Sequence, residues 1–107
     1  MRWPLWRVAV ADRSMEPALC DGDWLLVWRG IRRDRPPRIR PGQLVIARHP
    51  GQPDLLLVKR AGHELPGGWW LESDNTAAGA VDSLIFGPVP IPMIEGRLLL
   101  RYHRGLH

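Results

Sequence analysis

A mostly β domain, of short strands forming a barrel-like or packed-sheet arrangement, is predicted by three features of the sequence. Short apolar runs rich in Leu, Val, Ile and Trp recur along the chain. Turn residues separate them, with eleven Gly and eleven Pro spread over 107 residues rather than gathered in one tract. No stretch sustains the 3.6-residue period of an amphipathic helix.

Each element can be justified in order. Leu5 to Ala11 (LWRVAVA) alternates as a strand does. After it, one short helical turn is the most that follows Ser14, where Ser14 suits a cap and Pro17 a first turn. Asp23 to Arg29 (DWLLVWR) is the second strand, entered through Asp21-Gly22. Pro41-Gly42 introduces the third, Gln43 to His49, and the turn Pro50-Gly51-Gln52-Pro53 joins it as a hairpin to Asp54 to Arg60. Gly68 to Glu72 follows Pro66-Gly67, and Ser83 to Val89 and Arg97 to Tyr102 complete the set. Pro88, Pro90 and Pro92 confine that part of the chain to an edge or a connection.

The length suits one domain over residues 1–107, with an Arg/Pro-rich loop at 29–40. With one cysteine, Cys20, no intrachain disulfide can form, and a free Cys of this kind is expected to be a small buried hydrophobe. No apolar run reaches the roughly 20 residues that span a bilayer, and residues 1–7 have no signal-peptide core. A soluble, cytoplasmic protein is therefore expected.

The net charge is +4, and fourteen of the fifteen basic residues are Arg. The single lysine is Lys59. Arginine stays protonated in proteins, whereas a buried lysine can lose its proton, so the exception marks a candidate base. Six arginines fall within residues 29–40. A solvated loop is the ordinary reading of such a block, and contact with an acidic peptide, nucleic acid or an anionic membrane surface the functional one. No aromatic residue lies among these arginines, so nucleic-acid stacking is not expected.

Two segments carry chemistry. In Ser14-Met15-Glu16-Pro17-Ala18-Leu19-Cys20-Asp21-Gly22-Asp23 a hydroxyl stands at a strand exit, before a proline turn. Backbone N–H groups there lack a sheet partner and could face an oxyanion. In Leu55-Leu56-Leu57-Val58-Lys59-Arg60 a lysine ends an apolar run. Burial would disfavour its ammonium form, the neighbouring Arg60 would act in the same direction, and a neutral lysine can deprotonate a serine.

Ser14-Met15-x-Pro17-x-Leu19-x-x-Gly22-Asp23, then Pro41-Gly42-x-Leu44-Val45, then Val58-Lys59-Arg60, resembles in order the catalytic core of type I signal peptidases. Their self-cleaving SOS-repressor relatives share the sparser Ser-Met, Gly-Asp, Lys-Arg skeleton. Asp74-Asn75, Asp82-Ser83 and Phe86-Gly87-x-Val89 resemble a later box of the same peptidases. The resemblance implies a Ser/Lys-dyad serine endopeptidase, with Ser14 as nucleophile, Lys59 as general base, and Met15, Asp74, Asn75 and Asp82 in support. It implies no metal or organic cofactor. Within the group, the short maturation proteases of nickel-containing superoxide dismutase are most similar in size and motif style. They imply a precursor's leader peptide as the partner, with peripheral membrane contact as a further possibility for the Trp residues.

Several positions depart from the pattern. Asp12 stands where many signal peptidases carry an oxyanion-binding Ser, so the oxyanion hole falls to the Ser14 N–H. Ser73 replaces the usual Gly before Asp74-Asn75, and Leu84 the usual Arg after Asp82-Ser83. The run Thr76 to Val81 lacks the Ser that orients the lysine, leaving Thr76 and Ser83 as the remaining hydroxyls there. Two alternatives stand beside the peptidase. A self-cleaving repressor domain requires an upstream Ala-Gly bond, but Ala61-Gly62 and Ala78-Gly79 both follow Ser14. A non-enzymatic peptide- or nucleic-acid-binding β-domain would account for the Arg-rich loop. His49, His63, His103 and His107 have no metal-ligand spacing and read as surface residues. Trp3, Trp6, Trp24, Trp28, Trp69 and Trp70 read as core and cross-strand packing, or as an exposed apolar surface.

Overall fold

Among the described residues, seven antiparallel strands form one open sheet: β1 (Leu5–Ala9), β2 (Trp24–Trp28), β3 (Leu44–His49), β4 (Gln52–Leu65), β5 (Gly68–Glu72), β6 (Val89–Pro90) and β7 (Ile94–His103). Their order across the sheet is β1-β2-β7-β3-β4-β5-β6. The computed structural model describes residues 3–11, 15–30, 37–75 and 86–103. The predicted mostly β class holds, as one open sheet with β1 and β6 at its edges among the described residues.

The turns follow from their residues. At Pro41-Gly42 and Pro66-Gly67, proline presets the first turn position and glycine takes the positive φ of the second, +89° and +79°. At the β3–β4 hairpin, Nδ1 of His49 accepts the N–H groups of Gly51 at 2.9 Å and Gln52 at 3.1 Å. His49 thereby caps the turn.

Strand bounds differ most from expectation at three places, and elsewhere by one or two residues. β4 runs to Leu65 instead of ending near Arg60, because Ala61 to Leu65 pair with β5 across a register shift between Ala61 and His63. Lys59 therefore sits inside a strand rather than at its end. β7 begins at Ile94, where Ala47 of β3 pairs with it. Of the run expected at Ser83 to Val89, residues 83–85 lie outside the described residues, Phe86 has helical backbone, and pairing starts only at Val89. The prolines here do hold an edge: β6 is a two-residue edge strand, followed by a 3-10 turn over Ile91–Met93.

β3 is buried on both faces, and its alternate residues feed two cores. Val45 and Ala47 join Ala61, Trp69, Leu71, Val89 and Ile94 on one side. Ile46 joins Val10, Met15, Leu19, Leu25 and Val27 on the other. Each fully buried Val, Leu, Ile or Met contributes about 1.5–3 kcal/mol. Only Trp69 among the six tryptophans is core, whereas Trp3 is 72% and Trp24 38% exposed. Trp6 lies under the Arg29 guanidinium, and Trp70 stacks on His63. Cys20, expected to be buried, is only partly so, because Leu19 takes the core position.

Candidate active site

The loop between β1 and β2 carries the candidate nucleophile, and backbone bonds close its base. Val10 N–H donates to the Asp23 carbonyl and Gly22 N–H to the Val10 carbonyl, both at 2.8 Å. Inside the loop, Leu19 N–H donates to the Met15 carbonyl at 2.9 Å. Residues 15–18 thus make a turn, with a cis Glu16–Pro17 bond, in place of a helical turn. Met15 and Leu19 anchor it in the core beside Val10.

Asp23 locks this turn from beneath. Its side chain is fully buried, and Oδ2 accepts the Cys20 N–H at 2.9 Å. The Arg101 guanidinium of β7 meets the same oxygen at 3.4 Å and donates to the Ala18 carbonyl at 3.1 Å. A buried carboxylate requires such partners. The sequence marks Asp23 within the Gly-Asp motif, but its link to Arg101, 78 residues on, is visible only in the fold.

Ser14 lies outside the described residues, as do Asp12, Thr76, Asp82 and Ser83. Its flank Met15 and the earlier Val10 share a core cluster against which Leu56 and Val58 of β4 pack. That cluster joins the serine-bearing loop to the strand that carries Lys59.

Lys59 is 1% exposed. It stands opposite Val45 in the register, with buried Leu57 and Ala61 on the same face of β4. Its Nζ donates to Ser73 Oγ at 2.9 Å. Ser73 is a candidate positioning residue that the sequence does not single out. In the sequence it stands out only as a departure from Gly, and the hydroxyls expected to orient the lysine, Thr76 and Ser83, lie downstream of Asn75. The signal was the same substitution: a hydroxyl gained directly after β5, beside the strand that carries the lysine.

Arg60 points away from this burial and is held by Asp74 through two bonds, 2.9 Å from Nε and 2.7 Å from a terminal nitrogen. It also donates to the Gly42 carbonyl at 2.8 Å. The Asp74 bond raises the guanidinium pKa further above its ordinary value, against a smaller lowering by burial. The expected push of Arg60 on Lys59 is consequently opposed by the Asp74 carboxylate that pairs with it. Asn75 is partly buried two residues beyond Ser73.

Among the described residues no His, Cys, Asp and Glu gather as a metal-binding group, and no helix is long and apolar enough to cross a membrane. A profile of the Peptidase S24-like family matches residues 5–84. The Xenopus tropicalis protein named mitochondrial inner membrane protease subunit 1 is 31% identical over 114 aligned positions, covering 88% of this chain. The chain spans 66% of that relative's length.

Proposed function

The chain belongs to the Peptidase S24-like family, and from that premise we propose that it is a serine endopeptidase working through Ser14 and Lys59. The observation that carries this reading is the burial of the only lysine, with its amine on the Ser73 hydroxyl. Burial disfavours the ammonium form and so favours a proton acceptor. In the proposed reaction, neutral Lys59 takes the Ser14 proton as Oγ attacks a peptide carbonyl. The Ser14 N–H stabilises the oxyanion, and the protonated lysine passes its proton to the leaving amine. Lys59 then activates the water that hydrolyses the acyl-enzyme. Ser73 acts through Lys59 as a positioning residue, in the role that the resemblance assigns to a later serine.

The proposed substrate is the N-terminal leader of a precursor, that of nickel-containing superoxide dismutase, processed in the cytoplasm. The motif style, Ser14-Met15-x-Pro17 followed by Gly22-Asp23 and Lys59-Arg60, supports it. Incubation with such a precursor, with the new N-terminus read by mass spectrometry, tests it. Cleavage is expected from the unmodified chain and from neither Ser14→Ala nor Lys59→Met. Undiminished cleavage by both variants would remove the dyad from the mechanism.

A further inference from the structure

Most described arginines have their charge or their donors engaged. Arg48 pairs with Glu95, Arg60 with Asp74 and Arg101 with Asp23. Arg29 donates to the Trp3 carbonyl. Arg38, Arg40 and Arg97 differ: with Gln43 they line a cavity of about 230 Å³. No carboxylate lines it among the described residues. The Nε of Arg97 is buried there without a hydrogen-bond partner. An unpaired buried donor on a charged group is costly, and like charges around one cavity repel. Gln43 Oε1 accepts the Arg40 N–H at 2.8 Å, so its amide NH₂ is a further donor at the wall.

We propose that this cavity binds a phosphate-type oxyanion, either free or as the headgroup of an anionic lipid. The donor count selects this chemistry. Three guanidiniums offer more N–H groups than the two oxygens of a carboxylate can accept, whereas a phosphate presents three or four oxygens and up to two negative charges. The described lining does not include Lys59 but lies near it. Arg97 pairs with Val45, which pairs with Lys59, so the two Cα atoms lie about 10 Å apart across adjacent strands.

The test is thermal unfolding of the full chain as inorganic phosphate replaces chloride at constant ionic strength. A saturable rise in Tm is expected. Arg97→Gln should need about tenfold more phosphate for half the effect. Arg38→Gln with Arg40→Gln, at exposed positions, should do the same should the first variant fail to fold. Vesicles of phosphatidylcholine with phosphatidic acid separate the sources. Binding that inorganic phosphate displaces indicates the lipid headgroup, and a Tm response without vesicle binding indicates the free ion; both support the site. An equal rise in the double variant would be a general salt effect. That result, the absence of saturation, or an equal response to acetate would overturn the proposal.

Discussion

Replacing Ser73 by alanine tests the proposed catalytic machinery at its least expected member. The substitution removes an oxygen 2.9 Å from a lysine amine that is almost fully buried. Water has little access to replace it, so the loss should approach the value for a hydrogen bond involving a charged group, about 1.5 kcal/mol or slightly more. At about 1.4 kcal/mol per factor of ten, kcat/KM should fall roughly tenfold. A purely structural role would not move the pH dependence, whereas this one does. Lys59 donates to Ser73, so the acceptor favours the ammonium form, and removing it shifts the rising limb of the pH–rate profile to lower pH. The assay is cleavage of a fluorogenic leader peptide across the pH range, with Tm as a control for folding. Ser73→Thr keeps the hydroxyl and should retain most of the activity. An unchanged limb and unchanged kcat/KM in a folded Ser73→Ala would refute the assignment.

Other predictions concern the same frame. Lys59→Met should lower kcat by about 10²–10⁴-fold, the share of a general base, while Tm holds or rises because a polar amine no longer needs burial. Asp23→Ala should cost about 2–4 kcal/mol, since it strands the Arg101 guanidinium and the Cys20 N–H, and calorimetry should show Tm lower by roughly 10–20 °C. Gly96→Ala should cost about 2 kcal/mol, because its Cβ would lie 2.5 Å from Val27 Cγ1 and 2.9 Å from the Trp28 carbonyl oxygen, a backbone atom that cannot yield. Gly51→Ala meets only the His49 ring, at 3.3 Å, and should unfold within a few degrees of the parent in the same scan.

Strand content, the proline–glycine turns and the identity of the candidate base were legible in residue types alone. Each depends on local chemistry: β-branched and aromatic runs favour extended backbone, Pro-Gly presets turn dihedrals, and a lone lysine among arginines differs in its capacity to lose a proton. Strand ends were less legible. Whether Ala61 to Leu65 continue β4 depends on the partner that β5 supplies, and Val89 pairs only because Trp69 lies beside it. The buried position of Lys59 was expected from Leu55 to Val58, but the lysine's place in mid-strand was not.

The sequence by itself determined that this is a β domain with one candidate base and an arginine surplus, because these are properties of composition and short-range pattern. Tertiary structure alone decided which groups meet. It set Ser73 on Lys59, 14 residues apart, Arg101 beneath the serine-bearing loop, and Arg97 beside Arg38 and Arg40. Such pairs form where strands distant in the chain become neighbours, and the order β2-β7-β3-β4-β5 is fixed by which apolar faces can be buried together.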